Sequence, residues 1–362
     1  MSNKLSGVQI LRAVAATAVV ALHFNEQVGL YGHGGQPWLL SSGIANVGAA
    51  GVDIFFVISG FIMYHTTRPR ANGGADALGF LKRRAIRILP TYWFWTTIAL
   101  LAWLTHLGYT SHAFTGEFVV LSYFLIPAVS EGQWGVLLSP GWTLSYEAYF
   151  YVLFALCIAL VPRRRLAAYT VGAIVLLWGL AHVAPFNAGF VHVSGEPLVF
   201  EFAYGVLIAH GLAIWRERIG AGAMQRAGLV LIAAGAVGFA VTVAAPEAAV
   251  AHRAFAWGLP AAALVAGTVL ARLPTLYSSR LLLLLGDASY SIYLSHQFPM
   301  MLLARYLKKG WFSTVSPDVI ATAGVVAAIA FGVAAYFAIE RPAIAFFSRK
   351  SPPLPPVASP TV

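Results

Sequence analysis

Ten stretches of about twenty mainly apolar residues recur along this 362-residue chain, and few charged side chains interrupt them. They run over 8–24, 44–64, 88–106, 141–161, 166–184, 196–214, 227–245, 254–272, 281–304 and 318–340. A hydrocarbon layer about 30 Å thick takes about 20 residues of helix to cross. Inside it, only helices and closed barrels satisfy their own backbone polar groups. Runs of this length therefore predict an all-α polytopic membrane protein with about ten transmembrane helices. Composition agrees: 59% of residues are hydrophobic and only 10% charged, against about 25% charged in soluble domains. That leaves too few polar side chains to coat a soluble core, which excludes a soluble enzyme and a disordered chain.

The net charge of +10 would ordinarily raise the question of nucleic acid. Membrane proteins, however, concentrate Lys and Arg in their cytoplasmic loops. With ten crossings and the N-terminus inside, 19 of the 23 basic residues fall on the cytoplasmic side. Only Arg253, Arg305, Lys308 and Lys309 fall outside. This predicts both termini in the cytoplasm and no nucleic-acid partner. Arg12 interrupts the first apolar run, and many more runs follow, so that run is read as a first membrane helix and not a cleaved signal. The lone Cys157 excludes an internal disulfide and a multi-cysteine metal site, and no metal is expected. Residues 1–347 are predicted to form the membrane domain. Residues 348–362, rich in proline, are predicted to be a disordered cytoplasmic tail. Residues 118–127 fit a short interfacial piece.

Ionisable residues within membrane helices are costly, and each is a functional candidate. Here they are Arg12, His23, Asp53, Glu147, Glu201, His210, Asp287, His296 and Glu340. Arg12 and His23 are eleven residues apart, about three full helical turns, so they share one face and lie about 16 Å apart along the axis. Arg84 and Arg87 share a helical face at the inner surface, where paired guanidinium groups suit phosphate oxygens. Ser289, Tyr293 and His296 follow one face of the ninth segment. Glu340-Arg341-Pro342 fits a salt-bridged helix end. By depth, His23, Asp53, Glu147 and His296 form an acid/base group in the outer half. Arg12, Arg84 and Arg87 form a basic group in the inner half. Such a layout suits an anionic cytoplasmic donor whose reactive end must reach the outer face.

The motifs Arg12-x10-His23, GVDIFFVISGFIM (51–63), Arg84-x-x-Arg87 followed by ILPTYW, GWTLSYE (141–147), SYSIYLSH (289–296) and Glu340-Arg341-Pro342 together resemble the acyltransferase-3 family. The closest likeness is to exopolysaccharide acetyltransferases of rhizobia. The resemblance spans about residues 5–347. It implies a multi-pass enzyme of the bacterial inner membrane that takes acetyl from acetyl-CoA and places it on a hydroxyl of an exopolysaccharide or its lipid-linked repeat unit. Polysaccharide biosynthesis or export proteins are possible partners. By motif match, Arg12 and His23 carry over as an essential pair, and Arg84 and Arg87, with Arg12 nearby, as donor-binding residues. Glu147 and His296 match recurrent positions, and the EFAYG segment makes Glu201 a second-tier candidate. Some relatives append an extracytoplasmic hydrolase-like domain; without one, the membrane core must handle the acceptor alone or receive it from a partner.

Acyl transfer to a sugar hydroxyl needs a base, and neutral imidazole is suited to that near pH 7. His23 is expected to be the base or an acyl relay, oriented by Asp53 or Glu147 in the manner of a triad. Other acyl groups or acceptors (succinyl, O-antigen, lipid, antibiotic) keep the same chemistry. A secondary transporter or flippase shares the intramembrane charges, but the two halves show no convincing internal symmetry. A purely structural export partner would not need the Arg12/His23 stripe.

Overall fold

The computed structural model describes residues 6–67, 73–107, 113–185, 188–215, 218–271, 273, 276 and 278–349. The main helices are α1 (Ser6–Tyr31), α2 (Gly51–Thr67), α3 (Gly74–Leu104), α4 (Trp142–Leu160), α5 (Leu166–Val183) and α6 (Val199–Trp215). They continue as α7 (Ala221–Thr242), α8 (Gly258–Leu270), α9 (Arg280–Ser295), α10 (Gln297–Lys308), α11 (Pro317–Ala335) and α12 (Arg341–Arg349). The predicted tail lies, beyond Arg349, outside the described residues, as do the basic residues Lys4, Arg68, Arg70, Arg216, Arg272 and Lys350.

Each predicted apolar run contains helix. Among the described residues, eight helical segments are long and apolar enough to cross a membrane, which makes this a multi-pass membrane protein. The two remaining runs differ in form. α6 has only 17 residues. The ninth run divides at His296 into α9 and α10. Pro299 explains the division: it has no N–H for the Ser295 carbonyl, and its ring crowds that carbonyl. Ser279 opens α9 as a cap, its hydroxyl accepting from the Leu282 N–H at 3.4 Å.

α1 stands at the centre. One side of it packs on 44–50 and α2, the other on α9 and α11. Its small residues permit close approach: a Cβ on Gly51 would strike the Ala15 carbonyl, and one on Gly286 the backbone of Gln9. α2 and α6 meet more tightly still. A side chain on Gly60 would collide with the Phe202 carbonyl, and one on Gly205 with the Val57 carbonyl. Such backbone approach is how membrane helices gain packing energy without a hydrophobic driving force between them. Around this crossing Phe56, Phe150 and Phe202 stack, with centroids 4.8 and 4.6 Å from Phe202.

Between α3 and α4 lie a short helix (Gly116–Tyr123), where an interfacial piece was expected, and a hairpin of β1 (Ala128–Ser130) and β2 (Gln133–Gly135). The hairpin turns through Glu131 and Gly132, both at positive φ (53° and 81°), as a two-residue turn requires. Trp134 of β2 stacks on His192 at 4.3 Å.

Candidate active site

The bundle has two ends of opposite character. At one, α1, α2, α3, α4, α9 and 336–344 enclose a cavity of about 760 Å³. Arg12, Arg84, Arg87 and Arg341 line it, with Glu147 and Asp287 as its acids. The helices aim these charges inward because Arg84 and Arg87 share a face of α3, while Glu147 and Tyr151 sit one turn apart on α4. Arg84 rides over the Phe80 ring at 5.8 Å. Among the described residues, neither a hydrogen bond nor an ion pair engages Arg12, Arg84 or Arg87, and Arg84 Nε is buried without a partner. Asp287 accepts from Gln9 Nε2 at 2.8 Å. Glu147 accepts from the Tyr151 hydroxyl at 2.7 Å. Four guanidinium groups thus face one cavity beside two acids, an arrangement chemically suited to phosphate oxygens.

At the other end, His23 of α1 and His296 lie ring on ring, with centroids 5.4 Å apart and planes 7° from parallel. His23 Nδ1 pairs with Glu26 Oε2 at 3.0 Å. His296 Nδ1 lies 2.6 Å from the Tyr293 carbonyl. A carbonyl only accepts, so His296 Nδ1 carries the hydrogen and the neutral ring keeps its lone pair on Nε2. A carboxylate beside Nδ1 sets the same tautomer in His23. The two differ in access: the side chains of His23 and Glu26 are 40% and 46% exposed, whereas His296 is 2% exposed.

The partner expected for His23 is thus corrected. Neither Asp53 nor Glu147 reaches it. Asp53, fully buried, is held by Arg253, whose Nε donates to both carboxylate oxygens at 3.1 Å and whose Nη2 donates to Oδ2 at 2.8 Å. Arg253 Nη2 also binds the Ala49 carbonyl at 3.0 Å, and its guanidinium lies 5.1 Å from the Trp257 ring. A buried carboxylate takes the nearest fixed cation, and this one satisfies it completely. Glu147 faces the arginines because the cavity runs deep along α4, as far as Thr143. Glu201 is also fully buried, beside Gly258, and does not line the cavity.

Glu340 is corrected as well. It is no salt-bridged helix end. It closes a π turn, Tyr336–Glu340, where the Arg341 N–H bonds the Tyr336 carbonyl, and its Oε2 accepts the Ser291 hydroxyl at 2.6 Å. His210 accepts or donates a bond with the Tyr64 hydroxyl at 2.9 Å, away from both ends of the site.

Glu26 is the residue that sequence reasoning missed. The first apolar run, 8–24, stops short of it, but the helix continues to Tyr31. A three-residue spacing from His23 was the available signal.

Comparison with known proteins identifies the family. The family model described as an acyltransferase domain matches residues 5–337. The chain is 33% identical over 302 residues to the exopolysaccharide production protein ExoZ of Rhizobium meliloti, covering 82% of this chain and 89% of that protein. It is 28% identical over 385 aligned residues to the acyltransferase MdmB of Streptomyces mycarofaciens, covering 94% and 92%. No solved structure matches it. A match across nearly the whole chain, together with the multi-pass bundle, establishes that the protein belongs to the acyltransferase-3 family and is a membrane acyltransferase.

Proposed function

We propose that the protein transfers acetyl from cytoplasmic acetyl-CoA to a hydroxyl of an exopolysaccharide or of its lipid-linked repeat unit. The observation that carries this reading is the group of arginines in one cavity, of which Arg12, Arg84 and Arg87 make no hydrogen bond or ion pair among the described residues, with a histidine pair close behind Tyr293 at the cavity's far end. CoA carries phosphates at one end and a thioester at the other. Arg84 and Arg87 bind the phosphates, with Arg12 further in, and the pantetheine arm runs along the cavity toward Tyr293.

The acceptor approaches from the opposite side, where His23 is exposed. His23 Nε2 takes the proton of the sugar hydroxyl, and the oxygen attacks the thioester carbonyl. The C–S bond breaks, CoA leaves as thiolate, and the proton returns to it. Glu26 holds His23 in the required tautomer and stabilises the imidazolium as it forms. His296 supports the His23 ring from below. This assignment keeps His23 and His296 at the chemistry. It gives Glu147 a place among the donor-binding groups and Asp53 a structural place. The likeness to the exopolysaccharide production protein supports the choice of acceptor.

Orientation follows: the arginine end faces the cytoplasm, α6 and the α9–α10 pair complete ten crossings, both termini are cytoplasmic, and the membrane is the bacterial inner membrane. Membrane vesicles from cells lacking the gene, complemented with wild type, are supplied with acetyl-labelled acetyl-CoA. The expected result is label in the polysaccharide fraction that disappears with His23→Ala. Full labelling by that variant, or none by wild type, overturns the proposal.

A further inference from the structure

The cavity stops short of the histidines, and a pair of rings stands at that end of it. Val52, Phe55, Thr143 and Tyr293 line the histidine end of the cavity. Neither His23 nor His296 lines it. Phe55 of α2 meets Tyr293 of α9 edge to face, with centroids 5.9 Å apart. That is contact distance for such a pair, so no passage remains between them. Immediately behind, the His296 ring centroid is 6.0 Å from that of Tyr293.

The two rings are not held alike. Tyr293 is 7% exposed, and its hydroxyl is tied to Thr143 Oγ1 at 3.2 Å. That oxygen is itself anchored at the start of α4, 3.1 Å from the Pro140 carbonyl. Tyr293 also presents its carbonyl to His296, so moving its backbone would disturb the histidine pair. Phe55 has no polar anchor and borders open cavity. It can leave its contact by a change of rotamer, whereas Tyr293 would have to break a hydrogen bond.

Resting on the donor reading above, we propose that Phe55, closing on a fixed Tyr293, is the residue that limits the transferred group to a short acyl chain. A thioester brought to this point must displace the Phe55 ring to reach the histidines. The opening is then about one side chain wide and is shared with the displaced ring. Two carbons fit there. Each further methylene must lie against the same ring, and a methylene that a hydrophobic pocket does not fit changes selectivity by about ten- to two-hundredfold.

The test uses the full-length protein in vesicles that carry the cells' own acceptor, supplied separately with acetyl- and butyryl-labelled CoA thioesters. Wild type is expected to favour acetyl by about a hundredfold or more. Phe55→Ala is expected to raise the butyryl-to-acetyl ratio at least about tenfold, and Phe55→Leu by less. An unchanged ratio in both variants, with acetyl transfer still measurable, overturns the gate and leaves the donor reading intact. Labelling from neither thioester in wild type removes the donor reading and the gate together. If Phe55→Ala fails to accumulate in the membrane, Phe55→Leu carries the test by the same ratio.

Discussion

The arginine end and the histidine end handle charge in opposite ways. Around the histidines, two ion pairs form within the chain: Asp53 with Arg253, His23 with Glu26. Around the cavity, among the described residues, Arg12, Arg84 and Arg87 make no hydrogen bond or ion pair, although Glu147 and Asp287 line the same space. A cation taken out of water costs several kcal/mol unless something compensates it. The histidine end meets that cost during folding, from its own residues. The arginine end has more cations than the acids beside them balance, and under the proposed function the donor's phosphates meet the remainder on binding. Where a structure leaves charge unsatisfied is therefore more informative about its ligand than where charge is most abundant.

If the two ends divide the work, substitutions at one should alter catalysis and at the other donor affinity. The largest effect is expected from His23→Ala: loss of transfer by about a thousandfold or more, with labelled acetyl-CoA still binding. Loss of donor binding instead would move His23 into the donor site. Next in size is Asp53→Asn. It leaves Arg253 buried against a neutral partner and should cost about 3–5 kcal/mol, seen as a lower melting temperature in detergent. Adding Arg253→Gln to it should recover part of the loss. Strict additivity of the two would show the pair to be uncoupled.

A smaller effect is expected from Arg84→Ala with Arg87→Ala. Each charge-assisted bond lost is worth about 1.5–3 kcal/mol, so KM for the donor should rise at least about tenfold while kcat changes less. An effect confined to kcat would contradict a phosphate clamp. The smallest is Glu26→Gln. It removes the charge beside an exposed histidine but keeps the hydrogen-bonding shape, and should lower kcat by about tenfold. No change in kcat would leave His23 without an orienting carboxylate.

Much of the architecture was legible in the chain because membrane helices announce themselves by length and apolarity alone. The arginine group was legible for a related reason: Arg84 and Arg87 sit three residues apart on one helix, and local spacing fixes their common face. The pairing of Asp53 with Arg253 was not. Two hundred residues separate them, and no helical periodicity links positions on different helices. Glu147 shows the limit of depth as a guide. Counting from the start of α4 placed it level with the histidines. It is the inward reach of the cavity, a property of six packed segments, that puts it with the arginines. His296 was placed on the face of Ser289 and Tyr293, but only the packing of α9 on α1 sets its ring against His23.

The π turn at Tyr336–Glu340 has a consequence for how this chain tolerates change in length. A π turn holds one more residue than the α turn it replaces. Pro342 contributes to it by lacking the N–H that the Ala338 carbonyl would otherwise take. The turn therefore takes up one extra residue within the helical stretch Pro317–Ser348. Deleting one residue within 336–339 would let the stretch wind as uninterrupted α-helix, with the flanking segments still in line. Glu340 would keep its phase relative to α11, because the lost residue and the lost wide turn offset each other, and its carboxylate would stay beside Ser291. The turn thus marks a place where the chain can lose a residue and keep both the span and the part of the cavity wall that Arg341 and Ile344 form.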